Sequence, residues 1–318
     1  LQESDFENYK VNSGPPIMVR YRENLVVTAG PPSGGGVVLL TSLNILNNFN
    51  LKKYKSNSTP TYHLIAEALR RGHNNRSHYI GDPSFFNVPI DKLLSQKRTK
   101  EFLKDINSKK ATPSSKIKPL KVLNESRDTT HYSIIDKHGN AVSNTYTLGY
   151  SFGSGVTIPG TGILMNNQMN NFAYRYGDKS VNGRVGSPGN RYEPGKRPMS
   201  TMAPSMVFNK ENELMLVTGS PGGSYIPAAI LRVISGVIDF DLNIGSATML
   251  PRIHKDWPYK GLDYETTMSS DVVKKLDAIG HNPEPNKTMG STQSIHIIDG
   301  VRYGYADLRR PNAAVSIQ

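Results

Sequence analysis

Residues 129–143, Thr-Thr-His-Tyr-Ser-Ile-Ile-Asp-Lys-His-Gly-Asn-Ala-Val-Ser, constrain the fold more than any other stretch, because their pattern fits a β-hairpin. A short half-buried strand from His131 to Ile135 meets a polar turn holding Gly139 and Asn140. The return strand runs through Ala141 and Val142 to Tyr146, Thr147 and Leu148. Two adjacent threonines, Thr129 and Thr130, stand where the first strand begins. They directly follow a charged run without periodicity, Asn124 to Asp128. Taken alone, a threonine pair at a strand start is ordinary, since β-branched residues favour strands.

The remaining chain alternates hairpins with apolar helices. Met18 to Arg22 and Leu25 to Thr28 read as paired strands about Glu23 and Asn24. A Gly-rich loop, Gly30 to Gly36, leads into a helical run from Val37 to Leu46. It lacks the spacing and the Lys-Ser/Thr ending of a phosphate loop, so a tight turn with close helix packing is the better reading. Further helices are expected over Thr61–Arg71 and Ile90–Ile106, and a buried one over Tyr225–Ile238. A last helix, Asp271 to Ile279, is read as capped by Ser270 and stopped by Gly280. Hairpins are expected for Pro204–Phe208 with Glu213–Val217, and for Ser294–Ile298 with Val301–Tyr305. Residues 107–128 and the Gly-rich polar stretch 173–195 read as loops. Such alternation predicts helices packed on layered sheets.

Composition narrows the function classes. A chain of 318 residues buries a sizeable core. Without cysteine it has no disulfide, thiolate metal site or Cys nucleophile. The histidines show no recognisable metal spacing, and no cofactor motif appears. No stretch is read as approaching the roughly 18–20 apolar residues of a membrane span, which predicts a soluble chain. The start at Leu1, without Met or signal-peptide pattern, predicts a processed or truncated product. The net charge of +12 favours anionic partners. The basic residues are nevertheless dispersed, and the one dense run, Lys109 to Lys118, lacks interleaved aromatics, so nucleic acid is not expected.

Several motifs share one resemblance. Thr-Thr-His-Tyr at 129–132, Thr-Tyr-Thr-Leu at 145–148, Asn-Asn-Gln-Met at 166–169, Lys-Arg-Pro-Met-Ser at 196–200, Gly-Ser-Pro-Gly-Gly-Ser at 219–224 and Met-Gly-Ser-Thr-Gln-Ser at 289–294 resemble the γ-glutamyltranspeptidase family of N-terminal nucleophile hydrolases. The resemblance implies an α/β (α+β) fold, a four-layer αββα sandwich. It also implies cleavage between Asp128 and Thr129. Residues 1–128 would then be the C-terminal part of a large subunit, with its N-terminal part absent from this chain, and 129–318 the small catalytic subunit.

Chemistry supports that boundary. A hydroxyl is a poor nucleophile until a base removes its proton, and a freed N-terminal amine, of pKa near ~8, supplies that base within the same residue. The resemblance assigns Thr129 as nucleophile and Thr147 as the residue that orients it. Gly222 and Gly223 would form the oxyanion hole. Gln168, Asn171, Ser200 and Thr201 would bind substrate, and Arg309 would either pair structurally or touch substrate. The implied partners are γ-glutamyl compounds, amino-acid or peptide acceptors, and the remainder of the large subunit. The implied location is periplasmic, secreted or at the cell surface.

Two positions depart from the glutathione-processing members, Gly149 where they carry Asn and Asn171 where they carry Asp. That Asp pairs with the donor's α-ammonium, and an Asn lacks the charge. Asn171-Phe172 and the run Glu193 to Pro198 are similar to a capsule-processing branch that acts on poly-γ-glutamate. The long loop between Phe172 and Lys196 and the Ser200-Thr201 hydroxyl pair lie closer to the glutathione type. A non-catalytic polyanion-binding relative is the third reading.

Overall fold

Short turns whose residues tolerate a left-handed backbone organise the main sheet. Strands β1 (Ile17–Tyr21) and β2 (Asn24–Thr28) pair across Arg22, which has φ 57°. The computed structural model describes residues 2–117, 128–173, 187–257 and 261–317, so residues 118–127 of the loop expected over 107–128, and 174–186 of the stretch expected over 173–195, lie outside the described residues. Three further pairs follow: β3 (Asp128–Ile135) with β4 (Ala141–Gly149), β5 (Ser205–Phe208) with β6 (Leu214–Gly219), and β10 (Gln293–Ile298) with β11 (Val301–Ala306). The last turn, Asp299-Gly300, has φ 50° and 78°, as a two-residue hairpin turn requires. Six strands then form one sheet in the order β1-β2-β5-β6-β10-β11, while β3 and β4 form a sheet of their own.

One face of the six-stranded sheet is covered by helices. Val26, Val207 and Leu216 stand in register across β2, β5 and β6 and share a core with three helices. These are α2 (Gly35–Leu46), α3 (Thr59–Tyr79) and α6 (Ile226–Phe240), the last preceded by a 3₁₀ turn at Gly223–Tyr225. Residues 223–240 are long and apolar enough to cross a membrane by length and composition, which corrects the sequence reading. The stretch is 89% buried inside the fold and serves as a core helix.

Helix α3 runs eight residues past its expected end at Arg71. Residues 72–77 are polar or glycine, so they leave no apolar periodicity, yet all are buried. Their polar atoms find distant partners: Asn75 donates to Thr41 and Arg76 to Thr201. Gly72 lets α3 touch α2, since a Cβ there would fall 2.6 Å from the Val38 carbonyl oxygen.

The other elements are short. Helix α1 (Glu3–Glu7) opens the chain. The single helix expected over 90–106 is split into α4 (Ile90–Leu93) and α5 (Gln96–Leu103), because Ser95 turns out of the helix and caps Arg98 N at 3.1 Å. After α7 (Ile244–Met249) comes a small sheet that sequence patterning did not suggest. It consists of β7 (Ile253–His254), β8 (Leu262–Glu265) and β9 (Pro283–Asn286), strands too short for a period to show. Helix α8 (Ser270–Ala278) starts one residue early, with Ser269 at its N-cap.

The β3–β4 hairpin lies on the sheet face away from the helices. Val217 and Gly219 alternate with Leu216 and Thr218 along β6, and the imidazole of His131 occupies the space above Gly219. A Cβ at Gly219 would collide with that ring. Helices, main sheet and hairpin thus build three successive layers of the α+β arrangement. Tyr132, Ile134, Val142 and Tyr146 on the hairpin's outer face are exposed.

Candidate active site

The site grows from the start of β3. Thr129 and His131 are buried, whereas Thr130, Tyr132 and Ile134 point outward. Asp128 pairs with Gly149 but Thr130 pairs with Tyr146, so Thr147 and Leu148 together oppose Thr129. This bulge turns Thr147 toward its neighbour. The Thr129 hydroxyl donates to Thr147 Oγ1 at 3.4 Å, and the Gly149 N–H donates to the same oxygen at 2.9 Å. The Thr129 carbonyl accepts from Arg310 Nη1 at 2.8 Å.

Thr129 borders a cavity of about 30 Å³ whose walls include Thr147, Gly149, Gln168, Asn171, Ser200, Thr201 and Gly223. Seven of the nine binding and catalytic residues expected from the sequence therefore converge: Thr129, Thr147, Gln168, Asn171, Ser200, Thr201 and Gly223. In the continuous chain the space admits about one water. Asn171 Nδ2 donates to Gln168 Oε1 at 2.5 Å, and the Asn171 carbonyl accepts from Asn190 Nδ2 at 2.7 Å. Asn190 Oδ1 in turn accepts from the Met199 N–H at 2.9 Å. One side chain that sequence reasoning did not single out thus ties the Asn171 segment to the Ser200 segment.

The Gly-rich loop holds the opposite wall. Ser200 Oγ donates to Ser33 Oγ at 3.0 Å, and the Gly34 N–H donates to the Ser200 carbonyl at 2.8 Å. A Cβ at Gly35 would strike the Thr201 carbonyl, and one at Gly34 would lie 2.8 Å from the Arg76 side chain. These glycines serve close packing, as expected. Arg76 Nη2 donates to Thr201 Oγ1 at 3.1 Å. Burial pushes its guanidinium down to about 10, with Asp256 opposing that shift, so it stays charged at neutral pH. This cation behind Thr201 was invisible to periodicity because it sits in the polar half of α3.

Gly222 and Gly223 adopt φ 126° and 56°, backbone that only glycine enters readily. They turn β6 into α6, whose first residue, Ile226, also lines the cavity. Helix N-termini favour developing negative charge. Gly223 borders the Thr129 cavity, whereas Gly222 borders the neighbouring one.

Arg309 is not in the Thr129 cavity. Its Nε and Nη2 hold Glu265 at 2.6 Å each, and Nη1 reaches the Thr248 carbonyl at 2.9 Å and Asp307 at 3.2 Å. Of the two roles left open, this geometry corresponds to structural pairing. His131 is likewise structural. Ser133 Oγ donates to the Gln293 carbonyl, so it accepts from His131 Nε2, and Nδ1 accepts from Thr145. Burial lowers its pKa to about 4, which keeps the ring neutral.

One cluster had no sequence signature. Donor atoms of His63, Glu67 and His281 lie within 4.8 Å of one another. They are committed elsewhere: His63 Nδ1 bonds His281 Nε2 at 2.7 Å, and Glu67 holds Arg71 at 2.6 Å and the Thr112 N–H at 3.1 Å. Burial would raise the Glu67 pKa, but Arg70 and Arg71 outweigh it and hold it at about 2. A cation here would compete with two guanidinium groups already in place.

The sequence matches the family model described as γ-glutamyltranspeptidase over residues 1–317. The chain belongs to the γ-glutamyltranspeptidase family. It is 42% identical over 311 residues to the glutathione hydrolase proenzyme of Escherichia coli K12, covering 97% of this chain and 53% of that relative. The chain therefore spans about half the length of the curated relatives it matches. A crystal structure of cephalosporin acylase from Bacillus halodurans superposes over 100% of this chain and 56% of its own, at TM-score 0.82 and 28% identity. A chain of Helicobacter pylori γ-glutamyltranspeptidase is covered in full by 57% of this one, at 41% identity and TM-score 0.54.

Within the γ-glutamyltranspeptidase family the two departures acquire physical content. Gly149 has φ 96°, and a Cβ there would collide with Asn167 Oδ1, so a side chain at this place would be strained and would displace Asn167. With Asn171 at this place, no carboxylate lines the Thr129 cavity among the described residues. The Thr201 hydroxyl in the cavity wall is backed by the Arg76 guanidinium, and Asn171 presents a neutral amide on the same wall.

Proposed function

We propose that the chain is the catalytic part of a self-processing γ-glutamyl hydrolase and transpeptidase. The Thr129 hydroxyl attacks the Asp128 carbonyl, the Asp128–Thr129 C–N bond breaks and frees the Thr129 amine, and water then hydrolyses the resulting ester to release the Asp128 carboxylate and the Thr129 hydroxyl. That amine then takes the hydroxyl proton as Oγ attacks a γ-glutamyl amide. A C–O ester forms, the amide C–N bond breaks, and the proton passes to the leaving nitrogen. Water or an amine acceptor next attacks the ester and regenerates Thr129.

The observation that carries this reading is the pairing of Thr129 with Thr147 in the bulge, beside Gly223 and the Ser200-Thr201 hydroxyls. The glutathione hydrolase names of relatives at 37–42% identity support the donor class. The exposed outer face of the β3–β4 hairpin is where the remainder of the large subunit would pack, completing the fourth layer. A periplasmic or secreted location follows from the same family reading.

A second reading is favoured by Asn171 alone. Without a carboxylate, the site suits donors whose α-nitrogen is acylated or absent, and acylase proenzymes at 32% identity are among the relatives. Intact mass of the full-length protein and its Thr129→Ala variant tests the first stage, and a γ-glutamyl anilide, an N-acylated analogue and poly-γ-glutamate test the second. Cleavage before Thr129 in the wild type alone, with turnover of the free anilide, is the expected result. Turnover that survives Thr129→Ala would overturn the mechanism.

A further inference from the structure

Asn190 ends a short 3₁₀ turn, Pro188–Asn190, and is only 1% exposed. Its side-chain amide is satisfied by main-chain atoms of two separate segments. Nδ2 donates to the Asn171 carbonyl at 2.7 Å, and Oδ1 accepts from the Met199 N–H at 2.9 Å. Its backbone reinforces the first contact. The Asn190 carbonyl accepts from the Ala173 N–H at 3.0 Å, and the Tyr192 N–H donates to the Ala173 carbonyl at 3.2 Å. The turn itself is tightly seated, since a Cβ at Gly189 would overlap the Phe86 ring and one at Gly81 would overlap the Gly189 carbonyl. Asp82, between Gly81 and Phe86, accepts from the Arg197 N–H at 2.8 Å. Residues 81–86 thus carry both the turn and the segment leading to Met199, and the Asn190 side chain closes the frame.

The two segments that this amide joins supply separate parts of the Thr129 cavity wall. Gln168 and Asn171 stand in one, and Ser200 and Thr201, which directly follow Met199, stand in the other. A pocket that grips a carbon bearing two polar groups must hold both sets of partners at a fixed gap, because hydrogen bonds weaken steeply with poor geometry. We infer that Asn190 is a positioning residue that fixes this gap, so that the Gln168-Asn171 amides and the Ser200-Thr201 hydroxyls engage an acyl donor together. The inference rests on the acyl-transfer reading of Thr129. Asn190 is not among the residues lining the cavity, so its loss should weaken donor capture rather than the chemistry at Thr129. Self-cleavage uses Thr129 without a bound donor and should be spared.

The test uses the full-length protein and its Asn190→Asp and Asn190→Leu variants, with self-cleavage followed by intact mass and turnover followed on a γ-glutamyl anilide. An ionised Asp keeps the acceptor for the Met199 N–H but turns a second acceptor on the Asn171 carbonyl, so it breaks one arm of the clamp. Burial and that carbonyl raise its carboxyl above the usual ~3.9. Once protonated it donates as the amide did. At about pH 8.5 Asn190→Asp should raise the donor KM by about five- to tenfold, the scale of one buried hydrogen bond, with kcat and self-cleavage within about twofold of wild type. The ratio of variant to wild-type KM should fall toward one by about pH 6. Asp82, Arg191, Glu193, Lys196 and Arg197, the ionisable side chains on the surrounding segments, are common to both proteins, so the ratio isolates the new carboxyl. Asn190→Leu, which lacks both arms, should raise KM without that pH dependence. An unchanged KM, a fall confined to kcat, or a ratio that does not vary with pH would overturn the clamp alone. So would loss of folding in both variants in urea unfolding, which would make Asn190 a folding residue. Wild type that neither cleaves itself nor turns over the anilide would overturn the acyl-transfer reading and the clamp with it.

Discussion

Two positions decide what the Thr129 cavity can hold. Thr147 receives both the Thr129 hydroxyl and the Gly149 N–H on one oxygen, so in the proposed mechanism it would position the nucleophile without deprotonating it. In the proposed reaction Asn171, a neutral amide in the cavity wall, would face the donor's α-nitrogen. Asn171→Asp would supply a carboxylate to a donor ammonium, and a charge-assisted hydrogen bond is worth about 1.5–3 kcal/mol. The expected outcome is a rise of roughly tenfold or more in kcat/KM for a free γ-glutamyl anilide and a fall for its N-acylated analogue. Parallel kinetics on the two donors check it. Equal changes on both would separate Asn171 from substrate choice. Thr147→Val should leave the fold intact and slow both self-cleavage and turnover by about one to two orders of magnitude, measured as single-turnover rates.

At the scale of elements, the site depends on how the hairpin docks. The imidazole of His131 rests where Gly219 has no side chain, and this contact fixes the height of β3, and hence of Thr129, over the main sheet. Gly219→Ala should overpack this interface and cost about 1–3 kcal/mol in urea unfolding. Adding His131→Ala should recover part of the loss, as a double-mutant cycle would show. Additive losses would mean that the two residues do not press on each other. The Gly30–Gly36 loop plays the matching part on the other wall, and its sequence was legible because only glycine tolerates such approach to Thr201 and Arg76.

For the whole molecule, buried neutral histidines tie stability to pH. Burial lowers His131 to about 4 and His281 to about 3, the latter with help from His63. Their unfolded values lie near ~6.5, so as pH falls the unfolded chain takes up protons first. The stability they contribute is complete above about pH 6.5 and is lost progressively as pH drops toward 4 and then 3. Urea unfolding at pH 7, 5.5 and 4 should show that fall. His131→Gln should flatten the slope above pH 4 by up to one proton, about 1.4 kcal/mol per pH unit. An unchanged slope would mean that His131 is not held neutral.

Turns, strand alternation and apolar helix faces were readable residue by residue, because they record the chemistry of a few neighbours along the chain. So was the gathering of Thr129, Thr147, Gln168, Asn171, Ser200 and Thr201, through motifs rather than periodicity. The polar half of α3, the bulge opposite Thr129, the strands of the small sheet and the Arg76 guanidinium behind Thr201 were not. Each depends on a partner far away in sequence: Arg76 meets Thr201 across 125 positions, and Arg310 meets the Thr129 carbonyl across 181. Sequence by itself determined the main hairpins, the apolar helices and which threonine could become a nucleophile. Only the tertiary structure decided that Arg309 pairs with Glu265 and Asp307 while Arg310 reaches Thr129, because a buried charge takes its role from the partners that surround it.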